Sequence, residues 1–505
     1  MTHLTGLRTN TIADIVRRSA ARYPDKTAVV FRDRSWSYPE LDQAITDVAR
    51  HLLSQGLTPG CRVAAYGKNS DLYLLLFLAC ARAGLIHVPV NYQLTGDELE
   101  YILADSGADF VIADQDFSTY VQATDTGRAT DFATFESLLE PARTGGEPAG
   151  LDEFAATDGD IAQLLYTSGT TSAPKGAIMT HRALVAEYLS AVNVLDFGPA
   201  DRQVHALPMY HSAQMHVFLL PALMQGSYNI IVPAPVPGEL LAMFAQQSID
   251  TFFAAPTVWV ALANHPDLTK VDLSTLRKAY YGASIMPGPV LGRLQELLPD
   301  LGFYNCFGQS ELGPLCTVLR PEDHAEHPGS AGKPVLFVET RVVDGDGVDV
   351  EPGVQGEILY RSPQLCEGYW NKPEATAEAF AGGWFHSGDL VIQDADGFIQ
   401  VVDRVKDVIN TGGVLVAGRQ VEDAIFELDN VAEVAVVGLP DEKWIEAVTA
   451  YVVPKGPLSA EEVIAHTRTR LAGFKVPKAV HLVETLPKNS AGKILKRELR
   501  RAEAS

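Results

Sequence analysis

Positive charge is scarce in this sequence for its size. Forty Lys and Arg stand against 63 Asp and Glu in 505 residues, a formal net charge of −23 at pH 7. A field of that sign repels nucleic acid and anionic lipid, so neither is expected as a general partner, and an anionic ligand must be held by local cations. Cysteine is scarce as well: Cys61, Cys80, Cys306, Cys316 and Cys366 are scattered, odd in number and form no CxxC pair. That pattern argues against a disulfide framework or a zinc site and points to a reducing, cytoplasmic setting. Long hydrophobic runs are missing too. The most apolar stretch, Leu72 to Ala81, is ten residues between Asp71 and Arg82. That is about half of the roughly 20 residues a membrane span needs, so it reads as a buried helix and no membrane span is expected. The N-terminus lacks the cationic and apolar pattern of a secretory leader, and there is no internal repeat or low-complexity tract.

What is present is the composition of a folded protein, 47% hydrophobic and 20% charged, too long for one compact core. Apolar residues Ile12, Ile15, Val16 and Ala20 recur at helical spacing behind Asn10 and Thr11, and Thr27 to Phe31 reads as a strand. Ser37-Tyr-Pro-Glu opens a second helix, and strands at Arg62–Tyr66, Ile86–Val90 and Phe110–Ala113 alternate with helices. Such alternation predicts parallel sheets covered on both faces. After a Gly/Pro/Thr-rich connection near 125–160, a second alternation follows: Leu184–Leu195, Asn229–Val232, Leu240–Gln247 and Thr251–Ala255. Between about Pro321 and Gln400, short β-branched runs separated by Asp-Gly and Gly-Gly turns predict a small antiparallel or barrel-like unit. The charged seam Asp403-Arg-Val-Lys-Asp407 precedes a fresh β-α-β alternation and is the expected start of a small C-terminal domain. That domain ends in a locally basic tail, ten Lys/Arg against three Glu from His466 to Ser505.

The chain is organised around Tyr166-Thr-Ser-Gly-Thr-Thr-Ser-Ala-Pro-Lys175-Gly176, set between apolar runs 161–165 and 177–179. Ser and Thr hydroxyls, bare backbone N–H groups and one cation are the groups a polyphosphate needs, although Ser, Thr, Gly and Pro also dominate surface hairpins. It is not a Walker A loop, because Pro174 precedes Lys175 and Gly176 follows it.

This stretch closely resembles the signature loop of the adenylate-forming superfamily, which includes acyl-CoA synthetases, peptide-synthetase adenylation domains and luciferases. The resemblance implies that Thr167, Ser168, Gly169, Thr170, Thr171 and Lys175 hold the phosphates of ATP. Further matches follow in the same order. Pro208-Met-Tyr-His211 resembles the segment lining the carboxylate entrance, with Tyr210, His211 and Gln214 beside the acyl substrate. No acid stands there to pair an amino group, which weighs against an amino-acid substrate. Tyr281-Gly282-Ala283-Ser284 and Asn305-Cys306-Phe307-Gly308-Gln-Ser310-Glu311 resemble the segments enclosing adenosine, with Ala283, Gly308 and Gly313 small against the acyl group. Ser310 then donates to the α-phosphate, and Glu311 is a hard oxygen ligand for Mg²⁺. Trp384-Phe-His-Ser-Gly-Asp389 matches the motif whose Asp accepts from the ribose hydroxyls, with Arg404 reaching the same sugar and Lys406 as the hinge. Gly412-Gly413 resembles the loop that lines the CoA channel, and Pro487-Lys-Asn-Ser-Ala-Gly-Lys493 the terminal catalytic motif.

The fold implied is α/β: a large N-terminal domain, 1–403, of two parallel-type subdomains plus a distorted β-barrel, and a small mobile α+β lid, 404–505, hinged near 403–407. The activity implied is that of an acid–CoA ligase using ATP, Mg²⁺ and CoA, acting as a monomer or homodimer on a hydrophobic carboxylic acid: fatty, aromatic or polycyclic. Lys493, Thr167, Glu311 and His211 are the catalytic candidates. Two departures stand out: Ser172 replaces a family glycine, and Val414 replaces the acid after Gly412-Gly413. They motivate an alternative in which adenylation is weak and the enzyme mainly converts acyl-AMP to acyl-CoA. Loading of a separate carrier protein and a luciferase-like monooxygenase are the other readings. A fused carrier domain is not expected, since the chain ends at Ser505, soon after Lys493.

Overall fold

The apolar stretch at 72–81 becomes the helix Asp71–Ala83, started by the Ser70 hydroxyl accepting from the Tyr73 amide and stopped at Gly84 with φ +70°. All 13 of its residues are buried, which is why it shows no polar face. It packs on the amphipathic helix Tyr38–Ser54, whose Ser37 cap and Pro39 sit where the sequence places them. The structure is a computed structural model and describes residues 10–122, 129–136, 156–167, 173–284, 286–405, 407–412, 414–441, 443–488 and 494–502, the side chains of Leu415 and Ala502 aside.

Two sheets flank this helical layer. The six-stranded sheet runs, in spatial order, Ala129–Asp131, Phe110–Ala113, Arg62–Tyr66, Ile86–Val90, Ile161–Thr167 and Lys175–Thr180. All pairings are parallel except the last, where Ile161–Thr167 and Lys175–Thr180 form an antiparallel hairpin. The nine-stranded sheet has a parallel centre, in spatial order Gly302–Gly308, Lys278–Gly282, Thr251–Ala254, Arg202–His205, Tyr228–Ile231 and Thr27–Phe31, with antiparallel strands at both edges. The expected parallel α/β organisation is therefore present in both halves.

The small β unit differs from the barrel the resemblance implies. Its strands Glu339–Val343, Gln355–Arg361, Phe385–Gln393 and Ile399–Arg404 form an open antiparallel sheet in sequence order, and among the described residues it does not close. The motif His386-Ser-Gly-Asp389 lies within a strand, where a turn is expected from Gly-Asp. Gly388 takes φ +69°, and the register shifts between Leu390 and Val391, so the strand absorbs a turn-type dipeptide as an irregularity. Beyond Arg404, a third unit pairs Val414–Val416, Ile409–Thr411, Ile445–Pro454 and Val431–Asp441, with Ala479–Leu482 added in parallel. Helices Gly418–Phe426 and Ala460–Arg470 belong to this α+β unit. No helix among the described residues is long and apolar enough to cross a membrane.

Candidate active site

Open α/β sheets place their ligand clefts beyond the carboxyl ends of parallel strands. Here the carboxyl ends of both sheets open into one cleft of about 880 Å³. Strand Ile86–Val90 delivers Val90 and Asn91 to it, Ile161–Thr167 delivers Thr167, Lys278–Gly282 leads to Ala283, and Gly302–Gly308 delivers Cys306, Phe307 and Gly308. The open antiparallel sheet adds Ser387, Gly388 and Arg404, and the C-terminal unit adds Lys488, Leu495 and Arg497.

The hairpin carrying the phosphate-loop motif is anchored from outside. The Tyr166 hydroxyl donates to Asp105 at 2.9 Å, Lys372 pairs with the same carboxylate, and the Tyr101 hydroxyl donates to the Pro174 carbonyl at 3.0 Å. These contacts bring Thr167 and Lys175 to the cleft. Opposite them stand Ser310, whose hydroxyl lies 2.9 Å from that of Ser212, and Glu311. The Glu311 carboxylate accepts from the Tyr369 hydroxyl at 3.0 Å, and the Lys175 ammonium lies 5.1 Å from the centre of the Tyr369 ring. Burial and then the Glu311 charge push the Tyr369 phenol above its usual range, so it stays a donor. No group of three or more His, Cys, Asp or Glu among the described residues is placed to hold a metal ion. One carboxylate and one hydroxyl, Glu311 and Thr167, in the same cleft nevertheless suit Mg²⁺. That ion keeps much of its water and takes further oxygens from phosphate.

Asp389 and Arg404 meet. The carboxylate accepts from the Arg404 guanidinium at 2.6 Å and from the Gln309 amide at 2.5 Å, and Asp389 is only 2% exposed. Arg404 lines the cleft while Asp389 stands behind Gly388, which the Glu357 carboxylate receives through its amide.

The predicted acyl residues divide. Tyr210, His211, Ala283 and Gly308 line the cleft. His211 Nδ1 accepts from the Ala213 amide at 3.3 Å, and the Tyr210 ring packs edge-on against Tyr92. Gln214 does not reach the cleft. It lies on the π-helix Ala213–Leu219, is 1% exposed, and bonds the Leu207 amide and His205 instead. The wider π turn sends Ala213, Val217 and Phe218 toward the cleft and Gln214 into the core. Gly313, at φ +96°, also stands back, packed over the buried Glu187. Beyond the entrance, Ala213, Val217, Phe218, Phe253, Cys306 and Leu315 form an apolar recess. Phe218 stacks on Phe253 with ring centres 3.9 Å apart, and Phe197 and Tyr280 pack behind Phe218. Burial pushes the Cys306 thiol up, so it is an apolar wall.

Among the adenosine candidates, Phe307 and Cys306 line the cleft, whereas Gly282, Ser284 and Asn305 do not, and Asn305 donates to the Ser330 carbonyl. Gly282 is a spacer: a Cβ there would sit 2.2 Å from the Cys306 carbonyl oxygen. Gly412 lies away from this cleft, at φ +65°, with its amide donating to the Trp444 carbonyl. Val414 stands half exposed in an edge strand. Ser168, Gly169, Thr170, Thr171, Ser172, Lys406, Gly413 and Lys493 lie outside the described residues. Sequence reading missed Tyr369 and Gln309. Gln309 sits inside a quoted motif, but its use depends on Asp389, 80 positions away. Tyr369 lies in the Glu367-Gly-Tyr-Trp370 segment, whose aromatic pair was the available signal.

Residues 16–370 match the family model of the AMP-binding enzymes, and residues 420–493 match that of the AMP-binding enzyme C-terminal domain. The chain is 37% identical over 486 residues to a feruloyl-CoA synthase of Amycolatopsis, covering 96% of this chain and 97% of that one. It is 33% identical over 480 residues to a long-chain-fatty-acid–CoA ligase of Mycobacterium tuberculosis, 93% of each. The crystal structure of the anthranilate CoA ligase AuaEII in complex with anthranoyl-AMP superposes with a TM-score of 0.89 at 27% identity, over 98% of this chain and 97% of that one.

Proposed function

The chain belongs to the AMP-binding enzyme family and is an AMP-forming acid–CoA ligase, and from that premise we propose that its acid is a hydrophobic, aromatic monocarboxylate. The observation that carries the substrate class is the recess beyond His211. None of Ala213, Val217, Phe218, Phe253, Cys306 and Leu315 carries a charge, so a second carboxylate would be buried unpaired there, at a cost of several kcal/mol (roughly). Its floor is the Phe218–Phe253 stack, which favours a flat ring over a long flexible chain. The named relatives are a feruloyl-CoA synthase and a long-chain-fatty-acid–CoA ligase, so kinship leaves both classes open, and the aromatic floor supports the aryl class.

In the proposed reaction a carboxylate oxygen of the acid bonds to the α-phosphorus of ATP, and the α–β P–O bond breaks with release of pyrophosphate. The CoA sulfur then bonds to the acyl carbon, AMP leaves with the former carboxylate oxygen, and the thiol proton passes to solvent. Lys175 and the hydroxyls of Thr167 and Ser310 hold phosphate oxygens, and Arg404, oriented by Asp389, holds the ribose. Lys493 supplies charge where oxygen charge develops, an effect worth about 10²–10³-fold per donor. Glu311 and Thr167 would hold Mg²⁺, which neutralises phosphate charge when bound. The domain boundary is proposed at 403/404, with Lys406 as pivot, so that Lys493 serves the first step and Gly412-Gly413 the second. Lys443 and Lys478, each 5.0 Å from the Trp444 ring beside Gly412, support a CoA-facing role for that surface. Burial and then the neighbouring Arg468 and Lys443 charges lower the Lys478 pKa, as in a surface short of anions.

A panel of acids assayed for CoA thioester tests the substrate class. Aryl acids of the cinnamate and phenylacetate type should exceed hexadecanoate in kcat/KM by about 10-fold or more, and Phe253→Ala should narrow that gap by a similar factor. Hexadecanoate as the preferred wild-type substrate would overturn the aromatic assignment. Pyrophosphate release, followed separately from thioester formation, decides whether adenylation is weakened.

A further inference from the structure

Lys175 and Glu311 face the same cleft with opposite charges, and neither forms an ion pair among the described residues. One side chain attends to both. The Tyr369 hydroxyl donates to Glu311 at 3.0 Å while its ring lies 5.1 Å from the Lys175 ammonium. A cation over an aromatic face is attracted to it, and a phenol donating to a carboxylate makes a charge-assisted bond, so each charge has a partner other than its opposite.

The backbone that carries Tyr369 is held on both sides of the cleft. The Cys366 amide donates to the Glu311 carbonyl at 2.8 Å, tying the segment to the Ser310–Leu312 turn. The Glu367 amide donates to the Ile178 carbonyl, the Ile178 amide to the Gly368 carbonyl and the Trp370 amide to the Gly176 carbonyl, lacing the same segment onto the strand that begins at Lys175. The Tyr369 amide donates to the Thr376 hydroxyl at 2.9 Å, and Gly368 packs so tightly on Thr376 that a Cβ would sit 2.5 Å from its methyl carbon. Tyr369 is thus a fixed strut between the phosphate hairpin and the Glu311 turn.

We propose that Tyr369 is a positioning residue of the adenylation half-reaction: it keeps Lys175 and Glu311 apart and oriented, so that the cation stays available to phosphate and the carboxylate to Mg²⁺. Without the strut, the two charges are free to pair across the cleft and close the site their ligands need. The inference rests on the acid–CoA ligase reading. It concerns only the ATP half of the reaction, because the second half starts from an acyl-AMP that carries neither β- nor γ-phosphate.

Two variants separate the two contacts. Tyr369→Phe keeps the ring over Lys175 and removes the hydroxyl, and Tyr369→Leu removes both. ATP binding is measured by calorimetry with and without Mg²⁺, and each half-reaction is followed alone, thioester formation starting from synthetic acyl-AMP. Tyr369→Phe should weaken ATP binding about 3- to 10-fold with Mg²⁺ present and leave it unchanged without the metal. Tyr369→Leu should weaken it in both conditions and slow pyrophosphate release, while thioester formation from acyl-AMP stays within about twofold of wild type. Tyr369→Phe preserves the side-chain shape, so its result stands even where Tyr369→Leu lowers the Tm. Unchanged ATP binding by Tyr369→Phe with Mg²⁺, or equal loss in both half-reactions, would overturn the proposal. A wild-type enzyme that binds Mg·ATP but makes no thioester from any acyl-AMP would instead count against the ligase reading.

Discussion

At Gly308 the site tolerates no side chain. A Cβ there would lie 1.7 Å from the Pro314 carbonyl oxygen, so the strand end and the Gly313–Leu315 wall touch through bare backbone. Gly308→Ala must therefore push apart two walls of the cleft. Displacement of about 1 Å near reacting atoms costs about 10²-fold in rate, so acyl-AMP formation should fall by at least that factor while the Tm drops by a few degrees. Near-wild-type turnover would show that the two walls move independently. Single residues were also where sequence reading divided most clearly. Glu311 and Lys175, which line the cleft, were legible because their motifs keep each charge beside its own turn. Tyr369 and Gln309 were not, because each acts on a carboxylate brought close only by the fold, 58 and 80 positions away.

The π-helix Ala213–Leu219 decides which side chains reach the substrate, and it is held by buried polar side chains. His216 Nδ1 lies 2.8 Å from the Tyr188 hydroxyl, its Nε2 bonds Gln163 at 2.7 Å, and Gln163 bonds His87 at 2.9 Å. Gln163 belongs to the strand that ends at Thr167, so this chain of side chains couples the acyl wall to the phosphate hairpin. Burial holds His216 and His87 down to about 3, and His205, on the Gln214 side, to about 4. An unfolded imidazole binds a proton near about pH 6.5. Between that pH and about 4 the unfolded chain holds more protons, so the stability these residues confer is complete above pH 6.5 and lost as pH falls. Each contributes about 1.4 kcal/mol per pH unit across the window. The buried Glu187, whose carboxyl is raised by desolvation, works in the opposite sense above its ordinary range. Comparison with His216→Gln isolates the imidazole: the variant should have a lower Tm at pH 7 and a shallower Tm decline from pH 7 to pH 5. Parallel Tm profiles for the two proteins would rule out a neutral His216 as the source of the slope. The resemblance puts Gln214 beside the acyl substrate, but on this π turn its side chain is buried and bonds the Leu207 amide and His205.

Across the whole molecule, the order of motifs along the chain made the large units readable, since alternating strands and helices leave few arrangements other than parallel sheets. The joining of those units was less legible. The β unit expected as a barrel is an open four-stranded sheet, because strand count and turn spacing do not specify closure. At the seam, Lys496 pairs with Glu422 at 2.8 Å and Arg500 with Asp407 at 2.8 Å. Burial pushes the Lys496 pKa down, and the Glu422 and Asp403 charges more than offset it. The Asp403–Asp407 seam and the basic tail were both visible in the sequence, but not that they meet.

In the proposed reaction the acid passes through an acyl-adenylate before it meets CoA. An aryl acid labelled with heavy oxygen in its carboxylate, incubated with ATP, Mg²⁺ and CoA, tests this by mass spectrometry of the products. Equal amounts of AMP, pyrophosphate and CoA thioester are expected, with one heavy oxygen in the phosphate of AMP. Thioester formed alongside ADP, or AMP without the label, would contradict it.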